Sequence, residues 1–210
     1  MLEITSFVLG PVATNTYLVA DADTKEAVVI DPAWNDPDVK GEADRRGWKI
    51  QQLWITHAHF DHFGGVAQLA SQVEPTPQIA LHPIDLPLWQ IGGGAAIFGM
   101  HIPQPPSPTL HLSHSQILHL GKSQVEVRHV PGHSPGHVVF YCAEDGVMFC
   151  GDTVFWGSIG RTDLPGGDEV TLIRCIREQI LSLPDDTRLL TGHGEETFVG
   201  QEKRWNPFLA

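Results

Sequence analysis

Residues 56–65 read THAHFDHFGG and put His57, His59, Asp61 and His62 directly behind the apolar stretch IQQLWIT. In an extended segment alternate side chains share a side, so His57 and His59 point the same way and two imidazoles reach one cation. Asp61 and His62 follow the turn, where they face a neighbouring cation. A lone histidine in a loop is ordinarily a polar surface residue. Four ligand-type side chains at this density call for a chemical explanation.

Further donors follow at intervals: His133 in VPGHSPGH, Asp152 in FCGDT and His193 in LLTGHG, each just after an apolar run and beside glycine. Imidazoles and carboxylates without thiolates suit two borderline divalent ions, zinc first and iron or manganese next, with Asp152 able to bridge through its two oxygens. No Gly-x-Ser-x-Gly elbow is present, and Cys142, Cys150 and Cys175 lie in or beside apolar runs. Covalent catalysis by serine or cysteine is therefore not expected. The odd cysteine count without CxxC spacing reads as ordinary buried thiols in a reducing cytosol. His82, His101, His111, His114, His119 and His129 are read as structural. Pro135 and Gly136 prevent a helical pairing of His133 with His137, which is expected to open a strand as a support for the ligands.

These donors need strand ends that converge. The bursts EITSFVLG, TNTYLVA and EAVVIDP alternate as antiparallel strands do, and a polar helix is expected from near Asp36 to Gly47, before the strand IQQLWIT. A helix from Gly65 to about Val73 and a strand QIALH come next. Residues 83–110 are rich in proline and glycine yet carry Trp89, Ile91, Ile97, Phe98 and Met100, fitting either a lid or substrate wall or an excursion packed on the core. SQVEVRHV, HVVFYCA and GVMFCGD restore the strand pattern, followed by a helix from about Asp168 to Leu183 and the strand RLLTG. Two β-rich halves, each followed by helix, predict a layered α/β sandwich, and 210 residues predict one domain, 1–210.

A net charge of −12, with no lysine or arginine between Lys49 and Lys122, argues against nucleic acid as the partner. No run approaches the roughly 18 apolar residues of a membrane span, and MLEITSFVLG has no basic region ahead of a long apolar one, so a cytoplasmic protein without membrane attachment is expected. Nothing in these patterns specifies an oligomeric state.

The order HxHxDH, then separated His, Asp and His, resembles the metallo-β-lactamase superfamily along the whole chain. That resemblance implies an αββα sandwich, two mixed β-sheets face to face with helices on the outer faces. It assigns His57, His59 and His133 to one metal ion and Asp61, His62 and His193 to a second, with Asp152 shared. VPGHSPGH, GDTVFWGSIGRTDLPGGD, the late GHG and NPFLA are similar to the compact glyoxalase-II-type, hydroxyacylglutathione hydrolase-like enzymes. The implied reaction is hydrolysis of a small thioester, glutathione-derived among the candidates, by a hydroxide bridging two ions and oriented by Asp61. The short stretch behind His193 is not expected to hold the added C-terminal helical domain usual in such enzymes. Arg161 is expected at the rim, either meeting a substrate carboxylate or bracing the loop through Asp163.

The main alternative is a persulfide dioxygenase of the same superfamily, with one non-haem Fe2+ on His57, His133 and Asp152. A lactonase or β-lactamase activity ranks lower, and the acidic balance weighs against ribonuclease members. A non-catalytic metal-stabilised module fits least, because seven ligands for two ions leave positions open to water.

Overall fold

The computed structural model describes residues 1–34 and 37–209. The N-terminal alternation forms three antiparallel strands, β1 (Leu2–Leu9), β2 (Thr14–Asp21) and β3 (Glu26–Ile30). β4 (Lys49–Trp54), β5 (Gln78–Leu81) and β6 (Leu110–His111) then join in parallel, completing a sheet in the order β1-β2-β3-β4-β5-β6. A parallel step needs a crossover, and between β3 and β4 it is helix α1 (Pro37–Arg46). The expected start of α1 at Asp36 lies outside the described residues; its end is marked by Gly47 at φ 69°, the left-handed stop that glycine takes readily.

The second sheet begins with the antiparallel run β7 (Ile117–Leu120), β8 (Ser123–His129), β9 (Val138–Cys142) and β10 (Val147–Gly151). A small separate hairpin, β11 (Val154–Phe155) with β12 (Ser158–Ile159), follows. β13 (Arg188–Thr191) pairs parallel to β10, and β14 (Thr197–Phe198) closes the sheet, so both large sheets are mixed.

Apolar side chains fill three layers. Tyr17, Val28, Ile30 and Trp54 of the first sheet meet Val127, Val138, Phe140, Phe149 and Leu190 of the second. The outer face of the first sheet packs on α1 and α3 (Val66–Gln72) through Val39, Ala43 and Leu69; α2 (Phe60–Phe63) is a single turn ahead of α3. The outer face of the second sheet packs on α5 (Glu169–Gln179) and α6 (Val199–Trp205), after the short α4 (Leu86–Gln90) in the first half. Strands covered on both faces read as near-continuous apolar runs, as VVFYC and VMFCG do. Tyr17 Oη donates to Thr191 O at 2.7 Å and Ser123 Oγ to Asp21 Oδ2 at 2.8 Å, tying one sheet to the other.

Two details depart from the sequence-based expectation. Helix α5 stops at Gln179 rather than continuing to Leu183: Ile180 closes it, and Leu183 is disfavoured in helical geometry because Pro184 follows. Residues 83–110 are divided between core and surface. Trp89 stacks on Phe63 with ring centroids 4.3 Å apart and, with Ala95 and Ile102, is buried in the core, whereas Ile91 and Ile97 remain exposed. Among the described residues no helix is long and apolar enough to cross a membrane.

Candidate metal centre

Strand ends of both sheets open onto one rim. The segment behind β4 carries His57 and His59 and leads into α2, which holds Asp61 and His62; loops behind β8, β10 and β13 carry His133, Asp152 and His193. Gly192 sits so close to Asp152 that an added Cβ would lie 2.1 Å from Oδ1, so the loop before His193 passes only without a side chain.

All seven expected side chains meet. His133 Nε2 lies 3.1 Å from His57 Nε2 and 2.9 Å from His59 Nδ1, forming one group. Asp61 Oδ2 lies 3.4 Å from His62 Nε2 and 3.2 Å from His193 Nε2, forming a second. Asp152 faces both: Oδ1 is 3.3 Å from His62 Nε2, while Oδ2 is 3.6 Å from His133 Nε2 and 3.5 Å from His193 Nε2.

Four of the five rings are oriented into the cluster by a partner on the opposite nitrogen. His133 Nδ1–H donates to Arg161 O at 2.8 Å and His62 Nδ1–H to Asp31 Oδ2 at 2.9 Å. Thr56 Oγ1 donates to Asp31 Oδ2 at 2.7 Å and therefore accepts from His57 Nδ1 at 3.1 Å. His193 Nδ1 faces Ala13 O at 3.3 Å, and Thr14 Oγ1 donates to Asp61 Oδ2 at 2.9 Å. Fixing the tautomer in this way is what outer partners do for metal-binding imidazoles.

Electrostatics divide the cluster. Burial, reinforced by neighbouring imidazoles, keeps His57 well below the ordinary histidine range and His59 at about 3. Burial also pulls His193 down, but Asp152 and Asp61 outweigh it and bring the ring to about 10; they raise His62 as well. Burial pushes the Asp61 carboxyl up, yet His62 and His193 hold it at about 2. The first group thus offers neutral donors at neutral pH, while Asp61 of the second group and the shared Asp152 stay ionised where positive charge is favoured. His62 Nε2 and Asp152 Oδ1 are buried without an aligned hydrogen bond, both aimed into the cluster. Buried polar atoms are normally satisfied, so a donor set of this kind fits cations.

The family model described as the metallo-beta-lactamase superfamily matches residues 9–193. The chain belongs to the metallo-beta-lactamase superfamily. Among relatives in this superfamily, hydroxyacylglutathione hydrolase GloC of Haemophilus influenzae is 37% identical, over 93% of this chain and 92% of its own. The crystal structure of the BLEG-1 B3 metallo-beta-lactamase superposes with a TM-score of 0.91 at 35% identity, covering 100% of both chains. That of TTHA1623 in a di-iron-bound form gives 0.89 at 40% identity, covering 98% of this chain and 100% of the other. The αββα layering of the superfamily is the architecture found here, and its His/Asp cluster fits a dinuclear metal site.

Beside the cluster opens a cleft of about 180 Å³ walled by Val12, Phe60, Phe98, Leu164 and Arg161, with the ligand side chains at its floor. Arg161 lines the cleft, and Asp163 holds its guanidinium at 2.7 and 2.8 Å. His137 precedes β9, stacks on His57 with centroids 4.7 Å apart, and accepts from Asp152 N at 3.0 Å. Sequence reasoning missed Asp31 and Thr14. Asp31 was visible only as the acidic end of the apolar strand EAVVIDP.

Proposed function

We propose that the chain hydrolyses small thioesters with two divalent metal ions, zinc first, held by His57, His59 and His133 and by Asp61, His62 and His193, with Asp152 between them. One observation carries this reading: seven donors converge as two triads joined by a single carboxylate. Bound there, such ions supply a nucleophile from water near neutral pH and polarise the acyl carbonyl. The chain's own residues do the rest. Asp61, kept ionised and fixed by Thr14, orients the attacking water. Val12, Phe60, Phe98 and Leu164 surround the acyl part and limit water around it. Arg161 stands where a carboxylate of the thiol portion would lie, once released from Asp163.

The name of the GloC relative supports a thioester, glutathione-derived among the candidates, and the narrow cleft supports a small molecule. Both sheets contribute ligands, so we propose that the chain works as one domain. The separate supports of the second triad, Asp31 behind His62 and Thr14 behind Asp61, favour two ions over the single iron of a persulfide dioxygenase.

The test is elemental analysis of the purified protein together with S-lactoylglutathione hydrolysis, oxygen uptake on glutathione persulfide, and β-lactam hydrolysis. Two ions per chain with thioester turnover support the proposal. One iron with oxygen uptake reassigns the enzyme as a dioxygenase, and β-lactam turnover without thioester turnover as a β-lactamase.

A further inference from the structure

Asp85 lies in the short turn Pro83–Asp85 before α4, in the segment that otherwise walls the cleft. It is 1% exposed, and none of its atoms reaches the metal cluster as a ligand. Its two oxygens take three donors from two distant loops. Ala58 N–H donates to Oδ2 at 3.0 Å, Ser134 Oγ to the same oxygen at 2.7 Å, and Gly136 N–H to Oδ1 at 2.6 Å. Ala58 stands between His57 and His59, and Ser134 follows His133. The carboxylate therefore joins the backbones that carry all three donors of the first triad.

The approach is built into both partners. An added Cβ at Gly136 would lie 2.7 Å from Asp85 Oδ1, so the loop reaches the carboxylate only as glycine. Next to it, His82 and His129 stack with centroids 4.4 Å apart, and His129 Nε2–H donates to Pro135 O at 2.9 Å, gripping the same loop. Among the described residues no ion pair involves Asp85, so its charge is met by these donors. Burying a carboxylate without a cation is costly unless its hydrogen bonds are complete. A neutral amide of equal size offers one oxygen, and its NH2 would meet N–H and O–H donors head on.

We propose that Asp85 is a positioning residue for the first metal triad, acting through the two loops it joins and not through contact with metal or substrate. The second triad does not depend on it, since His62 is held by Asp31 and Asp61 by Thr14. This inference rests on the dinuclear reading above.

The experiment is a chelator titration of the full chain loaded with zinc, run on wild type, Asp85→Asn, Ser134→Ala and His59→Ala. His59→Ala identifies the release phase of the first triad. Asp85→Asn is expected to weaken that phase about 10–100-fold, the range seen when outer partners of metal ligands are removed, and to leave the other phase in place. Ser134→Ala, which removes one donor, moves the same phase by less. A shift of both phases together, or of neither, overturns the proposal, because a general loss of stability does not select one triad. If Asp85→Asn does not fold, an unmoved first phase in Ser134→Ala overturns it. Fewer than two ions on the wild type removes the dinuclear reading itself, and this inference with it.

Discussion

Asp31 Oδ2 receives both the His62 Nδ1–H, at 2.9 Å, and the Thr56 hydroxyl, at 2.7 Å, whose oxygen faces His57 Nδ1. One buried carboxylate oxygen thereby orients an imidazole of each triad. Asp31→Ala is expected to weaken both ions by about 10–100-fold, unlike the one-sided effect of Asp85→Asn. Chelator competition against wild type checks this; unchanged affinity of both ions would show that the rings hold their orientation without Asp31.

Asp152 faces both triads, so Asp152→Ala should lose metal at both and abolish turnover. Elemental analysis and thioester assay decide it. Retention of two ions with near-normal rate would sink the dinuclear scheme.

Arg161 and Asp163 are joined by two hydrogen bonds, yet both side chains are about half exposed or more, so the pair itself adds little stability. Asp163→Asn frees the guanidinium beside the cleft. The expected result is a several-fold lower KM for a thioester bearing a carboxylate and no change for an uncharged one, with the melting temperature within about a degree of wild type, consistent with a surface substitution. Equal KM changes on both substrates would remove Arg161 from substrate binding.

Phe98 and Phe60 rings lie 5.6 Å apart across the cleft wall. Phe98→Ala opens that wall without touching a ligand, so KM for thioesters with apolar acyl groups should rise several-fold while metal content stays at the wild-type value. Steady-state kinetics with elemental analysis separate the two effects.

Acid stability should carry the mark of Asp21. Burial pushes this carboxyl up, but bonds from Thr24 and Ser123 more than offset it and hold it at about 2. A lowered folded pKa stabilises above the unfolded value of about 3.9, and that contribution is lost as pH falls toward 2. Asp21→Asn is therefore expected to be less stable than wild type at pH 6, with the gap closing between about pH 4 and 2. Urea unfolding across that range measures it, and a constant gap would refute the assignment.

How much of this could be read beforehand depended on whether cause and effect were neighbours in the chain. His57, His59, Asp61 and His62 announce themselves by local density, and His133, Asp152 and His193 by glycine behind apolar strands. The layers follow from strand and helix periodicity, which is also local. Asp31, Thr14 and Asp85 carry no such signal: their partners lie 25, 47 and 51 residues away, brought close only by the packed sheets. The stretch 83–110 was ambiguous for a different reason. Its apolar side chains divide between core and cleft, with Trp89 buried and Phe98 half exposed, and composition does not distinguish the two destinations.

The parallel pairing of β13 with β10 places His193 just behind the last large strand to be made. On the ribosome, a chain that has emerged as far as β9 already includes His57, His59, Asp61, His62 and His133, and Asp152 follows directly after β10. The donor that completes the second triad appears only some forty residues later, after α5 has crossed back over the sheet. Synthesis thus completes the donors of the first triad before those of the second, whose Asp61 and His62 wait on His193.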